Sequence, residues 1–364
     1  MMAAASNGST PKRFAFSRSG LDDGELQQLV QSHASLFKTL ADATILITGA
    51  TGWFGVWLLD LLLVADDLLR LGVRIAAVSR EPGRFLDRFR EFEGDSRIKW
   101  IKTDVRQLEG LGDGYSHIIH AATDTSAASA RDTPQNLFET LVEGTGRVIA
   151  AAGPGCKSAL LVSSGAIYGP PRPGTERFVE SEPGGPDPCL LKSAYAEGKR
   201  AAEQLGATAA AKGVPIKIAR CFAFVGPHMP FDKHFAIGNF IADAVQGRSI
   251  CVKSDGRPLR SYLYMTDLIH ALLLILSRGV VGRPYNVGSD QAITIEALAH
   301  CVNRTIGGVG VSIGGAPSDP GDRYVPDITR LRTELGFVPD VALEGAIART
   351  AAWYRARMNE SVSS

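Results

Sequence analysis

Apolar residues follow two alternating patterns along the middle of this chain. Short apolar runs, the length of buried strands, are separated by segments whose apolar residues recur at helical spacing. The predicted strands are 73–79, 98–103, 117–122, 158–163 and 216–220, and the predicted helices include 134–152 and 194–211. Strands that alternate with amphipathic helices are typically parallel and joined by right-handed crossovers. The pattern therefore predicts an α/β protein with a doubly wound parallel sheet.

The two ends of the chain differ from this middle region. The first residues are rich in Ala, Ser, Gly and basic side chains, whereas glycines and prolines interrupt short segments after residue 225. We expect a disordered segment 1–20, an N-terminal helix 21–43 against the first strand, a dinucleotide-binding domain 44–225 to which 259–290 returns, and a smaller carboxy-terminal substrate lobe from 226–258 and 291–357.

A glycine-rich turn follows the first apolar run. Residues 44–48 are apolar or β-branched, then Gly49, Gly52 and Gly55 recur every third position, and an apolar helix pattern begins. Gly49 allows a sharp turn, Gly52 allows a diphosphate to approach the backbone, and Gly55 allows the helix to pack on the strand. The free N–H groups of the helix then face the anion. We expect Trp53 and Phe54 to pack in this turn beside the cofactor, in a Rossmann-type domain.

Composition narrows the range of partners. The chain has 364 residues, with 39 Lys and Arg against 38 Asp and Glu, and no long run of one charge after residue 20. This balance disfavours nucleic acid as a partner and favours a small molecule. The five cysteines are odd in number and far apart, which argues against a disulfide framework and a zinc cluster. No apolar run is long enough to span a membrane. We expect a soluble cytoplasmic protein without metal, in which His117 and His120 are core histidines.

The end of the second predicted strand indicates the cofactor. Ser79 and Arg80 stand where a fold that binds NAD usually places an acidic residue on the ribose hydroxyls. A hydroxyl followed by a guanidinium suits a 2′-phosphate instead. We therefore expect NADP, with NAD as the alternative. Asp104 and Val105, just after the third strand, are placed to touch the adenine.

Three residues could carry proton transfer. Ser164 follows the predicted strand 158–163, and Tyr195 and Lys199 are four apart on a predicted helix, so they share one face. A nearby ammonium and a positive nicotinamide favour the phenolate, which brings the phenol into a working pKa range. Tyr195 could then exchange a proton with a sugar hydroxyl or ketone while Ser164 hydrogen-bonds the same oxygen.

An ordered set of motifs resembles the extended short-chain dehydrogenase/reductase family, in its nucleotide-sugar epimerase, dehydratase and reductase branch. The motifs are Gly49-x-x-Gly52-x-x-Gly55, His120-Ala121-Ala122, Ser163-Ser164-Gly165-Ala166-Ile167-Tyr168-Gly169, Tyr195-x-x-x-Lys199, Gly226-Pro227, the run from Arg260 to Asp267, and Tyr285-Asn286-Val287-Gly288. The resemblance covers about residues 44–355.

The resemblance implies roles for several residues. Ser164, Tyr195 and Lys199 would be the catalytic trio, with Lys199 also on the nicotinamide ribose, and Ala121 and Ala122 would lie at the cofactor. Arg260 matches the family arginine that contacts the substrate diphosphate, and Asn239 and Arg323 are further candidates for substrate binding, although a capping role for Asn239 or a surface salt bridge for Arg323 would also fit. The family also implies a homodimer through the helices 134–152 and 194–211.

Three features depart from the family pattern. Dehydratases of this branch carry an acid pair after the catalytic hydroxyl, whereas Gly165 and Ala166 cannot ionise. Leu141 stands where the family often has Asn, and Ser261 stands where it usually has Asp after the arginine. Because Gly165 and Ala166 cannot ionise, the elimination of water from the sugar would lack its acid and base.

Three functions are consistent with these residues. The first is an NADPH-dependent reductase of an NDP-4-keto-6-deoxyhexose, because a net reductase exchanges its cofactor and NADPH is the usual reducing pool. The second is an NAD-dependent NDP-sugar 4-epimerase, which would keep NAD bound and consume none. The third is a non-catalytic dinucleotide-sensing module, which the intact trio disfavours.

Overall fold

A computed structural model of the chain describes residues 16–109, 114–122, 133–182, 184–231, 235–317 and 322–362. Its strands are β1 (Thr44–Thr48), β2 (Arg74–Ser79), β3 (Ile98–Lys102), β4 (His117–His120), β5 (Ser158–Ser164), β6 (Ile216–Cys221), β7 (Phe224–Val225), β8 (Ile250–Ser254), β9 (Leu259–Arg260), β10 (Leu263–Tyr264), β11 (Pro284–Val287), β12 (Ile293–Thr294), β13 (Val311–Ala316) and β14 (Arg323–Tyr324). Its helices are α1 (Asp23–Ser32), α2 (Ala34–Lys38), α3 (Trp53–Leu69), α4 (Pro82–Arg88), α5 (Pro134–Ala150), α6 (Ala194–Ala211), α7 (Ala236–Val245), α8 (Met265–Arg278), α9 (Ile295–Ile306), α10 (Thr329–Leu335) and α11 (Leu343–Val362).

Seven parallel strands form the central sheet, in the spatial order β11-β6-β5-β4-β1-β2-β3. This arrangement confirms the doubly wound Rossmann-type fold. The strand order reverses beside β1, whose neighbours are β2 and β4. Ligands of open α/β sheets bind beyond the carboxyl ends of the strands at such a reversal. The glycine turn after β1 and the residues after β4 both lie there.

Helices cover both faces of this sheet. Helices α5 and α6 pack along each other on one face, and α3 and α8 cover the other. Residues 55–66 of α3 and 265–276 of α8 are buried throughout, which is why most of them are apolar. None of the helices described above combines the length and the apolar character that crossing a bilayer requires.

Smaller sheets lie among the carboxy-terminal elements. Strands β12, β9 and β14 form one sheet, β13 pairs with β8, and β10 pairs with β7. Helices α7, α9 and α11 pack against one another. β9 and β14 are parallel, with Tyr324 opposite Arg260 in the register. This short pairing brings two distant parts of the chain beside each other.

The N-terminal region differs from the single helix expected over 21–43. The structure has two helices, α1 and α2, which separate at His33 and pack on α3 and α8. A buried stripe on α1, formed by Leu26 and Val30, accounts for this packing. The helices lie on other helices because α3 and α8 already cover this face of the sheet.

The segment from Phe16 to Gly20 is clasped between α3 and α11. Asp60 of α3 is fully buried and accepts hydrogen bonds from the hydroxyls of Ser17 (2.5 Å) and Ser19 (2.6 Å). The indole of Trp353 on α11 donates to the Gly20 carbonyl at 2.8 Å. A segment expected to be disordered is thus packed in its last five residues, while residues 1–15 lie outside the described part of the chain. Its two serine hydroxyls are hydrogen-bond donors to the buried Asp60 carboxylate.

Candidate active site

The turn after β1 has the geometry of a diphosphate cradle. Gly49 has a φ of +72°, and a Cβ there would lie 2.6 Å from the Ala121 carbonyl oxygen. A Cβ at Gly55 would lie 2.3 Å from the Ala50 carbonyl oxygen, so only glycine lets α3 approach the turn this closely. Gly52 precedes the first residue of α3. The N–H groups of that helix end therefore face the space that an anion would occupy.

The two aromatic residues of the turn point to neighbouring protein. The Trp53 indole donates to the Pro227 carbonyl at 2.8 Å, and the Trp57 indole donates to the same oxygen at 3.1 Å. Phe54 packs edge to face on Phe224, with ring centroids 5.3 Å apart. Both side chains therefore join the glycine turn to the segment that begins the carboxy-terminal lobe.

The end of β2 lies beside the same turn. The Ser79 hydroxyl is 2.8 Å from that of Thr51, and Arg80 is exposed. Hydrogen bonds from Arg106, aided by the charge of Arg80, hold the pKa of Asp104 below its usual range. The structure thus gathers Ser79, Arg80 and Asp104 at one end of the sheet.

Three further residues that are predicted to contact the cofactor also have close protein neighbours. The side chain of Val105 is buried, and a Cβ on Gly144 of α5 would lie 2.7 Å from it. The backbone N–H of Ala122 donates to the Thr48 hydroxyl at 3.3 Å. Ala121 and Ala122 thus follow β4 directly opposite the end of β1, against Gly49.

Ser164, Tyr195 and Lys199 meet at the carboxyl end of β5. Ser164 ends β5, and the other two lie one turn apart near the start of α6. Burial raises the pKa of Tyr195 to about 12, although the hydrogen bond with Ser164 lowers it. Burial lowers the pKa of Lys199 to about 8, and its ammonium donates to the Val162 carbonyl at 2.6 Å. The arrangement provides a phenol, a hydroxyl and a buried cation for proton transfer.

Tyr324 is a member of this site that the sequence patterns missed. Its phenol hydrogen-bonds with Ser164, and a Cβ on Gly165 would lie 2.8 Å from the Tyr324 oxygen. Its ring packs on Phe222 at 4.7 Å. Burial raises the pKa of Tyr324. Gly165 therefore leaves the room that this phenol occupies.

The side chains of Arg323 and Tyr324 point to opposite faces of β14. Adjacent residues of a strand point to opposite faces, and the register places Tyr324 opposite Arg260 on one face. Arg323 points to the other face, where it donates to the Glu176 carbonyl at 3.3 Å. No local signal over the two residues of β14 identifies Tyr324, because its pairing with β9 is what places it at the site.

The other substrate-binding candidates lie on carboxy-terminal elements. Arg260 is partly buried and pairs with both carboxylate oxygens of Asp322, at 3.0 and 3.1 Å. Asn239 is half-buried on α7. Arg260 is thus a cation on the Tyr324 side of its small sheet.

Two residues that depart from the family pattern, Leu141 and Ser261, are buried. Leu141 is buried, and a Cβ on Gly198 of α6 would lie 2.6 Å from it, so the two helices meet closely there. Ser261 is fully buried, and its hydroxyl has no hydrogen-bond partner among the described residues. At Leu141, an apolar contact between α5 and α6 therefore replaces the polar side chain that the family often has there.

The histidines at β4 have structural partners. His120 contacts the hydroxyl of Thr48 at 2.7 Å and that of Thr145 at 3.1 Å, and burial lowers its pKa to about 3. Burial likewise lowers the pKa of His117 to about 4. Within the described ranges, no three His, Cys, Asp or Glu side chains form a group that could hold a metal ion.

Comparison with known proteins places this geometry in context. The model of the NAD-dependent epimerase/dehydratase family matches residues 45–288. UDP-glucuronic acid decarboxylase 6 of Arabidopsis thaliana is 30% identical over 319 residues, which are 86% of this chain and 89% of that protein. UDP-glucuronic acid decarboxylase 1 of Xenopus tropicalis is 29% identical over 88% of this chain and 74% of that protein.

Solved structures of the same fold include two enzymes of nucleotide sugars. The dTDP-glucose 4,6-dehydratase of Streptomyces venezuelae, with NAD bound, superposes with a TM-score of 0.74 at 23% identity, over 87% of this chain and 98% of that one. The UDP-glucose 4-epimerase of Thermotoga maritima, with UDP-glucose, gives 0.72 at 21% identity, over 86% and 99%. These similarities show the fold over most of the chain.

Proposed function

The chain belongs to the NAD-dependent epimerase/dehydratase family of extended short-chain dehydrogenases/reductases, and from that premise we propose that it is an NADPH-dependent reductase of an NDP-4-keto-6-deoxyhexose. One observation carries the proposal. Ser164 and Tyr195 meet at the end of β5, while the two positions after Ser164 are Gly165 and Ala166. Such a site can move one proton at one sugar oxygen, but it lacks the acid pair that eliminates water.

The residues present fit a dinucleotide, because glycines let the turn after β1 pack so tightly that a Cβ at Gly49 or Gly55 would overlap backbone atoms, and the N–H groups at the amino end of α3 are available to a diphosphate. A reduced nicotinamide bound at this turn would supply the hydride for C4 of the sugar. Tyr195 donates its phenolic proton to the C4 oxygen, and the Ser164 hydroxyl hydrogen-bonds the same oxygen. Lys199, as an ammonium, stabilises the phenolate that remains. Arg260 would bind the diphosphate of the substrate, with Asn239 as a further contact, whereas Arg323 points to the opposite face of its sheet.

The choice of NADPH rests on Arg80. Its exposed guanidinium follows β2 beside Ser79, where it can pair with a 2′-phosphate. We expect Arg80→Ala to weaken NADPH binding about tenfold or more while NADH binding changes little, because a charge-assisted hydrogen bond contributes ~1.5–3 kcal/mol. Fluorescence titration with both cofactors measures this. Arg74→Ala, at the exposed opposite end of β2, is the matched control. Equal weakening for NADPH and NADH would contradict the assignment.

A second candidate keeps NAD bound, with oxidation and re-reduction of the sugar. An NDP-sugar 4-epimerase works in this way, and the relatives named as UDP-glucuronic acid decarboxylases favour a UDP-sugar reaction of this kind. The two candidates differ in net consumption of cofactor.

One experiment separates them. The purified protein is denatured, the released cofactor is identified, and NADPH consumption is then followed with 4-keto and with non-keto nucleotide sugars. The reductase predicts consumption with the 4-keto sugar only. Tightly bound NAD, sugar interconversion and no NADPH consumption would establish the second candidate instead.

We also propose that the protein works in the cytoplasm as a homodimer, through α5 and α6. The five cysteines are free thiols, and Phe138 of α5 is 38% exposed although it is aromatic. We expect sedimentation to show a dimer at micromolar concentration and Phe138→Glu to shift it towards monomer, because a buried charge costs several kcal/mol at an interface. Val338→Glu, at an exposed residue after α10, is the control. A wild-type monomer would reject the proposal.

A further inference from the structure

Helix α6 carries a third polar residue at the spacing of the catalytic pair. Glu203 follows Lys199 by four residues, as Lys199 follows Tyr195, so all three lie along one face of the helix. Glu203 is only 9% exposed. The reaction proposed above assigns no role to this buried carboxylate, which lies one turn after Lys199.

The Glu203 carboxylate joins two strands directly before the catalytic serine. Ser163 donates to it at 2.5 Å, and Arg220 donates through Nε at 3.1 Å and through its NH2 group at 2.8 Å. Ser163 and Arg220 are opposite each other in the β5–β6 register, and the next pair is Ser164 with Cys221. Glu203 therefore fixes the strand ends that hold Ser164.

The network continues from Arg220 to the wall that carries Tyr324. Arg220 donates to the Tyr168 hydroxyl at 2.9 Å, and this hydroxyl donates to the side-chain oxygen of Asn286 at 2.7 Å. The Asn286 amide donates in turn to the carbonyl of Asp327 at 3.1 Å. Asp327 lies three residues after Tyr324, so the network reaches the segment that places this phenol.

The charges around Lys199 determine whether a nearby substitution makes its ammonium lose the proton more or less readily. The titratable and charged groups that face Lys199, or its neighbour Glu203, are Tyr195 on α6, Cys221 and Arg220 on β6, and His120 on β4. His120 and Cys221 are neutral near pH 7, because burial lowers the pKa of the first to about 3 and raises that of the second to about 12. Glu203 and Arg220 thus form a neutral pair beside one buried ammonium.

We propose that Glu203 is a positioning residue, which holds the ends of β5 and β6 for Ser164 and, with Arg220 as its counter-ion, keeps the charge on Lys199. This inference rests on the proposed function, since it assigns Glu203 to the same site. Removing either partner of the pair leaves the other as a lone charge near Lys199. The two removals therefore act on Lys199 in opposite directions.

Paired variants test this sign. Glu203→Gln leaves the Arg220 cation, so Lys199 loses its proton more readily, and we expect the alkaline limb of the kcat profile to move about one pH unit to lower pH. Arg220→Gln leaves the Glu203 carboxylate, so the limb should move to higher pH by a similar amount. Ser163→Ala removes one hydrogen bond and no charge, so its profile should keep the wild-type midpoint.

A second measurement needs no sugar. The Kd of NADPH across the same pH range, from the fluorescence of the bound nicotinamide, should show the same opposite shifts, because Lys199 is proposed to hold the nicotinamide ribose. Shifted Kd midpoints without turnover would support the role of Glu203 and reject the proposed function. Normal turnover with unshifted midpoints would overturn the inference alone.

Folding is checked by thermal unfolding of each variant. If Glu203→Gln does not fold, Arg220→Gln and the charge-conserving Glu203→Asp still decide the question: the first should shift the midpoint to higher pH and the second should leave it in place. Shifts of all charge variants in one direction would show a purely structural effect and overturn the inference.

Discussion

Tyr195→Phe should lower kcat by about two to four orders of magnitude, the range that a positioned general acid contributes. The substitution removes the phenolic oxygen that donates the proton and retains the ring on α6. Because the glycine turn and the end of β2 are untouched, the Kd of the cofactor should stay within about threefold of the wild-type value. Stopped-flow measurement of NADPH oxidation gives kcat, and fluorescence titration gives Kd.

Tyr115→Phe provides the matched control for this variant. Tyr115 lies just before β4, at the amino end of the sheet, whereas the trio lies at the carboxyl ends of the strands. The control should retain kcat within about twofold, as substitutions outside a site usually do. Undiminished turnover in Tyr195→Phe would remove Tyr195 from the chemistry. Cofactor binding without turnover in the wild type would favour the sensing module.

Gly55→Ala should weaken cofactor binding by about tenfold to a hundredfold. The added methyl group would lie 2.3 Å from the Ala50 carbonyl oxygen and 2.4 Å from that of Gly49, which are backbone atoms that cannot rotate away. Relief of such a clash costs ~1–3 kcal/mol and shifts the turn or α3. Either shift displaces the helix end that faces the diphosphate. Fluorescence titration with NADPH and thermal unfolding measure both effects.

Gly83→Ala is the corresponding control for that substitution. Gly83 is the second residue of α4, and a Cβ there would meet nothing within 4 Å. Alanine is the better helix former by about 0.5–1 kcal/mol, so this variant should be as stable as the wild type or more so, with unchanged affinity. If Gly55→Ala also kept its affinity for cofactor, the turn would not be the diphosphate cradle.

Local patterns predicted the sheet, and they identified three side chains that the fold brings together, because the cause of each pattern is local. Strands buried on both faces are mainly apolar, as residues 45–47 of β1 and 159–162 of β5 are. The glycines are required by backbone contacts within a few residues, as at Gly55, and the spacing of Tyr195 and Lys199 follows from the helix itself. The motif order then placed Ser164 beside them.

Features that depend on pairing between distant segments could not be predicted in this way. Tyr324 reaches Ser164 only because β14 pairs with β9, and nothing in the local pattern fixes that register. Asp60 is a carboxylate within an apolar helix, and its donors lie in a segment whose composition is typical of disorder. The His33 break also depends on how α1 and α2 meet the helices beneath them.

The clasp of Phe16 to Gly20 has a consequence for biosynthesis. Ser17 and Ser19 leave the ribosome long before Trp353 and Arg357, which bind the carbonyls of Gly20 and Ser19 at 2.8 Å each. The buried carboxylate of Asp60 can therefore gain its hydroxyl donors early, but α11 can cover them only after Arg357 has been synthesised. The clasp thus closes only after α11 has been made, and it joins that helix to the distant segment 16–20.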